Sequence, residues 1–249
     1  MKYLILSLIL LLTTSFSTDH HRITIYTIGD STMANKPTEN DAQERGWGMM
    51  LPQFFTTAVR IENHAQNGRS TKSFRSEGLW RTVISRIRPG DYLFIQFGHN
   101  DQKPDTLLHT DPGTTYRSNL ARYIREARDK GATPVLFTSI VRRSFLPDGK
   151  LKDTHGQYIT AVRHLASQMH VLCIDMNAAT AHIVQTMGDE PSKKLYMWIK
   201  PGTNLAAPEG KKDDTHLNIA GATLFARIVA DSIRLKIPDL APYILQSQP

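Results

Sequence analysis

A chain of 249 residues, 40% of them hydrophobic, can bury a sizeable core, and no repeat or low-complexity segment argues for a fibrous or disordered protein. Its 30 basic and 23 acidic residues give a formal net charge of +7. That balance favours polyanionic partners by steering, but no basic stripe interleaved with aromatics is present, which argues against nucleic acid. Cys173 is the only cysteine, so an intramolecular disulfide is excluded and stability must come from packing.

The chain opens with Lys2, an apolar run at 4–12, and Ser15 and Ser17 flanking Phe16. The run is too short to span a bilayer, and Asp19, His20, His21 and Arg22 follow at once, so residues 1–17 read as a secretory signal peptide. No cysteine lies near the cleavage point to carry a lipid. Export to a periplasm or out of the cell is expected, with no stable membrane insertion after cleavage and residues 18–249 forming one domain.

Ile23, Ile25, Tyr26 and Ile28 are nearly continuous in apolar character, which predicts a strand covered on both faces. It stops at Gly29-Asp30-Ser31-Thr32. Trp47, Met50, Leu51 and Phe54 then recur at helical spacing between Gly46 and Thr56. A short strand over 59–63 leads into a loop over 64–73, a helix over 76–87 and a third strand over 92–97, which runs into Gly98-His99-Asn100-Asp101. After a long loop at 102–114, a helix is predicted over 115–130, closed by Gly131. A strand over 135–140, a helix over 158–169, a strand over 171–175 and a helix over 178–187 follow. Residues 188–212 read as irregular, and 217–235 as a last helix.

Five apolar strands alternating with amphipathic helices argue for one α/β domain, a parallel sheet between two helical layers. In such sheets ligands bind beyond the carboxyl ends of the strands. Ser31 lies there, where a nucleophile is useful.

Acyl transfer needs a nucleophile, a base, a group to orient the base, and donors for the oxyanion. Asp213 and His216 stand three residues apart before the last helix, on one side of a turn. Asp213 can therefore hold one imidazole nitrogen while the other faces Ser31, and Asp214 should point elsewhere. The oxyanion donors would be the backbone N–H groups of Ser31 and Gly68 and the side-chain amide of Asn100, a neutral donor.

Taken together, Gly29-Asp30-Ser31, Gly68, Gly98-His99-Asn100-Asp101 and Asp213-x-x-His216 resemble the four blocks of the SGNH hydrolases, also called GDSL-type esterases. The residues Asn67-Gly68-Arg69-Ser70-Thr71-Lys72-Ser73-Phe74 and Asp214-Thr215-His216-Leu217-Asn218 further resemble the rhamnogalacturonan acetylesterase branch. The resemblance implies a flavodoxin-like three-layer α/β/α sandwich with a five-stranded parallel sheet. It also implies a serine esterase that deacetylates pectic polysaccharide without metal or cofactor, with Ser31 as nucleophile, His216 as base and Asp213 as its partner. An acetylated acidic polysaccharide is the expected partner, met by a monomer. Arg69, Tyr196, Trp198 and Lys200 are candidates for stacking on sugar rings or meeting uronate carboxylates, with Trp47 and Lys72 behind them. A lipolytic or thioester hydrolase on the same scaffold is the alternative.

Overall fold

A computed structural model of the chain describes residues 22–246, so the segment read as a signal peptide lies outside the described residues. Strand β1 (Thr24–Gly29) is buried along its whole length. Ile25 packs on one side of the sheet and Tyr26 and Ile28 on the other, as the alternation of a strand requires. A short β2 (Glu44–Arg45) precedes α1 (Trp47–Met50) and a 3-10 turn at Leu51–Phe54. The single helix expected between Gly46 and Thr56 is broken because Pro52 has no N–H to continue an α-helical ladder.

After β3 (Arg60–Asn63) come α2 (Ser73–Ser76) and α3 (Leu79–Ile84). The helix predicted over 76–87 is divided by Gly78, whose φ of 79° lies in the left-handed region. Its N–H closes α2 on the Arg75 carbonyl at 3.0 Å, an ending that suits glycine. The chain continues through β4 (Tyr92–Gln96), α4 (Thr115–Asp129), β5 (Thr133–Phe137), α5 (Gln157–Gln168), β6 (Leu172–Ile174) and α6 (Met176–Met187). Asp175 caps α6 by accepting the Ala178 N–H at 3.2 Å.

These five expected strands form one parallel sheet in the order β3-β1-β4-β5-β6. One face packs Ile25, Phe94 and Phe137 against Trp47 of α1 and Val184 of α6. The other packs Ile28, Leu93 and Ile95 against Val83, Leu120 and Val162 of α3, α4 and α5. The strand order reverses between β1 and β4, and a crevice opens at the carboxyl edge of such a switch point. Cys173, on β6, is half-buried, and burial pushes its thiol up to about 11, so it stays protonated.

The stretch 188–212 is more ordered than the sequence suggested. It holds α7 (Asp189–Ser192) and β7 (Tyr196–Ile199), and β7 pairs antiparallel with β8 (Lys211–Asn218). A second sheet of three strands results, in the order β2-β8-β7. Its register jumps, with Tyr196 opposite Leu217 but Met197 opposite Asp213, so Asp214, Thr215 and His216 bulge from the ladder. Helix α8 (Ile219–Lys236) starts directly after it, capped by Asn218 accepting the Gly221 N–H at 3.0 Å, and buries Phe225, Val229 and Ile233.

Gly46 is where the chain following Ser31 meets the start of α1. A Cβ there would stand 2.3 Å from the Ala34 carbonyl oxygen and 2.4 Å from the Met33 carbonyl carbon, both backbone atoms that cannot swing aside. Gly46→Ala is therefore expected to destabilise the fold by about 1–3 kcal/mol, read as a lowered urea midpoint with an unchanged slope. A midpoint equal to the parent's would show that this crossing is loose.

Candidate active site

The turn after β1 is fixed from beneath by polar groups. Asp30, fully buried, accepts the Thr32 N–H at 3.0 Å and the Thr32 hydroxyl at 2.7 Å on Oδ1. The Gln96 amide donates to Thr32 Oγ1 at 2.8 Å, and the Trp47 indole donates to Gln96 Oε1 at 2.9 Å. Trp47 thus belongs to the core, and through Gln96 it supports the turn that presents Ser31. Burial raises the Asp30 carboxyl, and the two bonds from Thr32 offset this only in part.

The bulge of β8 carries the other half of the site. His216 Nδ1 lies 2.7 Å from Asp213 Oδ2, and His216 Nε2 lies 2.9 Å from Ser31 Oγ. Asp213 Oδ1 also accepts the Thr215 and His216 N–H groups at 2.8 and 3.0 Å, which holds the bulge in a side-chain-capped turn. Burial alone would raise the Asp213 carboxyl. The hydrogen bonds from the His216 ring and backbone, the His216 charge and the Thr215 amide outweigh it and hold the group well below the usual carboxylate range. An ionised Asp213 accepts the Nδ1–H, which leaves the Nε2 lone pair for the Ser31 hydroxyl. Asp214 points away, as expected, to the Trp198 indole N–H at 2.7 Å and Arg143 Nε at 2.9 Å.

Opposite them lie the three expected donors. Gly68 takes a φ of +75° in a turn where the Arg69 N–H reaches the Gln66 carbonyl at 3.4 Å. A Cβ at Gly68 would meet no atom of the chain within 4 Å, so the glycine is required by its backbone conformation rather than by crowding from the fold. Among the described residues the N–H groups of Ser31 and Gly68 have no partner. Asn100 spends one amide N–H on the Arg69 carbonyl at 3.0 Å and keeps the other. Ser31, Gly68, Asn100 and His216 all line one cleft of about 490 Å³.

The loops bearing Gly68 and Asn100 are joined by Asp101, whose Oδ1 accepts the Thr71 hydroxyl at 2.5 Å, the Thr110 hydroxyl at 2.8 Å and the Thr71 N–H at 3.1 Å. On the far wall His99 Nδ1 meets His155 Nε2 at 3.2 Å. Burial, with Arg142 close by, pushes His99 well below its ordinary value and His155 down to about 2, so both rings are neutral.

Of the residues expected to touch substrate, Tyr196 is fully buried and its hydroxyl donates to the Val141 carbonyl at 2.9 Å, so it is a core residue. Trp198 lies outside the cleft, covered by the Lys193 ammonium at 4.1 Å and the Arg143 guanidinium at 5.0 Å from its ring. Strand alternation explains this, since its neighbours Met197 and Ile199 line the depression beside the cleft instead. The Arg69 side chain turns to Glu77 at 2.5 Å and Lys72 to the Thr106 carbonyl at 2.6 Å, while Lys200 is exposed away from the cleft lining.

Residues that the sequence reading passed over take their place. Lys36, Glu44, Lys103 and Arg142 line the cleft. Lys36 Nζ bonds Glu44 Oε1 at 2.7 Å and Asn67 Oδ1 at 2.6 Å, and Glu44 Oε2 receives Lys211 at 2.8 Å, which itself stands 3.4 Å from Asp213. A line of alternating charge thus ties the Gly68 turn to the strand of His216. No periodicity marks 34–45, and only the pairing of β2 with β8 brings these groups together.

Fold and site together define a carboxylic ester hydrolase. The chain belongs to the GDSL-like lipase/acylhydrolase family, whose model matches residues 27–224. It is similar to rhamnogalacturonan acetylesterase RhgT of Bacillus subtilis, 40% identical over 85% of this chain and 89% of that protein. A rhamnogalacturonan acetylesterase of Emericella nidulans is 28% identical over 82% of this chain and 81% of its own length. Among solved structures, YxiM of Bacillus subtilis superposes with a TM-score of 0.74 at 28% identity, over 86% of this chain and 57% of the YxiM chain. A catalytic mutant of Axe2, an acetylxylan esterase from Geobacillus stearothermophilus, gives 0.59 at 18% identity over 85% of this chain and 94% of its own, a likeness of fold.

Burial raises the Asp101 carboxyl to about 7, against the opposing bonds from Thr71 and Thr110. The native state then keeps a proton that the unfolded chain releases near the ordinary value of 3.8. Its stabilising effect is complete below that value and is lost as pH rises towards 7, by up to about 1.4 kcal/mol per pH unit. Urea midpoints between pH 4.5 and 7 are expected to fall more steeply for the parent than for Asp101→Asn. Equal slopes would mean that Asp101 is ionised throughout.

Proposed function

We propose that the protein is an exported serine esterase that removes O-acetyl groups from pectic rhamnogalacturonan through an acyl-enzyme on Ser31. The observation that carries this reading is His216 bridging Asp213 at 2.7 Å and Ser31 at 2.9 Å, in a cleft that also holds two unspent backbone N–H groups. His216 Nε2 takes the Ser31 proton as Oγ bonds to the acetyl carbonyl carbon. The oxyanion is met by the Ser31 and Gly68 N–H groups and the free N–H of Asn100. Collapse breaks the bond to the sugar oxygen, which leaves with the proton from His216. Water then gives a proton to His216 and attacks the acetyl group, and Ser31 recovers its proton as acetate departs.

The choice of an acetyl group on a sugar rests on the cleft lining. Ser31, Lys36, Glu44, Asn67, His99, Asn100, Lys103, Arg142 and Thr215 include no aliphatic or aromatic hydrocarbon side chain, which suits a hydroxyl-rich substrate and a two-carbon acyl group. Met197, Ile199 and Leu205 line the adjoining depression, but the Lys36–Glu44 pair lines both it and the cleft, so a long acyl chain would have to pass this charged pair to reach them. The pectic polymer is supported by the relatives named for that activity, and export by the leader-like residues 1–17.

Acetate release from acetylated rhamnogalacturonan, acetylated xylan and short and long p-nitrophenyl esters tests both halves. Release is expected chiefly from the pectic polymer, with loss of all but background turnover in Ser31→Ala. Asn100→Ala should lower kcat by roughly a hundred- to a thousand-fold. Faster turnover of the long-chain ester would keep the serine chemistry and remove the pectic assignment.

A further inference from the structure

The cations around the cleft differ in how far their charge is already met. Lys36 is spent on Glu44 and Asn67, and Lys211 on Glu44 and Asp213. The hydrogen bonds of Arg142 go to neutral groups, and Asp30 acts on it through its charge without a direct contact. The guanidinium donates to the His99 carbonyl at 3.2 Å and the Thr154 carbonyl at 3.3 Å, and the Gln102 amide, with its oxygen turned inward, accepts at 2.7 and 2.5 Å. Lys103 is exposed, and its ammonium has no partner among the described residues. Its own N–H closes a turn on the Asn100 carbonyl at 3.1 Å, which fixes Lys103 one turn from the oxyanion donor. Two cations thus stand on the Asn100 side of the cleft, neither of them ion-paired to a carboxylate among the described residues.

Resting on the function proposed above, we infer that Lys103 reads a uronate carboxylate of the substrate. Arg142 adds its charge from behind but cannot turn to chelate the anion, because its donors are taken by the fold. Lys103 is the member free to move. A flexible ammonium with water around it meets a carboxylate as a point charge, so the contact tolerates several sugar orientations while rejecting a neutral chain. Arg69, Lys72 and Lys200, expected to fill this role, face elsewhere.

The test compares kcat/KM for acetate release from one acetylated, galacturonate-containing oligosaccharide as the free acid and as its carboxyl methyl ester. The enzymes are the parent, Lys103→Gln, Lys103→Arg and Lys103→Glu, each checked for an unchanged melting curve. The parent is expected to prefer the free acid. In Lys103→Gln that preference should fall about fivefold, carried by KM rather than kcat. Lys103→Arg should keep it, Lys103→Glu should reverse it, and added salt should weaken it in the parent and in Lys103→Arg. An undiminished preference in Lys103→Gln overturns the inference and leaves the acetylesterase reading standing. A parent that hydrolyses p-nitrophenyl acetate but neither oligosaccharide form removes both.

Discussion

The site depends on one contact between residues 185 positions apart, His216 Nε2 against Ser31 Oγ. A single hydrogen bond contributes about 1 kcal/mol, far too little to hold two loops in place. The rest of the chain does that. Ser31 is fixed by the end of β1 and by the Asp30–Thr32–Gln96–Trp47 chain of bonds below it. His216 is fixed by the pairing of β8 with β2 and β7 on one side and by the buried face of α8 on the other. Between them, Lys36, Glu44 and Lys211 hold the Gly68 turn and Asp213 at a set spacing. The proton path of the proposed reaction is therefore organised in the free protein, as electrostatic preorganisation requires.

Environment divides the carboxylates around this cleft into two kinds. Asp30 and Asp101 are raised by burial, and they act as acceptors that shape turns. Asp213, bonded to His216 and to two backbone N–H groups, is held low and stays charged beside the base. The neutral His99–His155 pair continues the same separation, because a second imidazolium there would oppose the charge that His216 gains in the proposed reaction. Beyond the cleft, a depression of about 540 Å³ shares Lys36, Glu44 and Asn67 with it. The Asn204 amide donates to the Asp41 carbonyl at 2.7 Å and joins the two loops along its rim.

The sequence determined the central sheet and marked the groups that the proposed reaction uses. Strands β1 and β4 are short apolar runs buried along their whole length, the edge strands β3 and β6 are only partly covered, and Ser31, Gly68, Asn100, Asp213 and His216 sit after strand ends or beside the last helix. These are local properties, carried by side-chain type and spacing. Tertiary structure decided the second sheet, the bulge that aims His216, and the identity of the cleft wall. Tyr196 and Trp198 look alike as aromatics in a polar stretch, yet strand alternation and pairing with β8 put one in the core and the other behind the cleft. Lys36, Glu44, Lys103 and Arg142 carry no local signal at all, because a charge acquires its role from whichever groups the folded chain brings beside it, and the pairing of β2 with β8 joins segments that are distant in sequence.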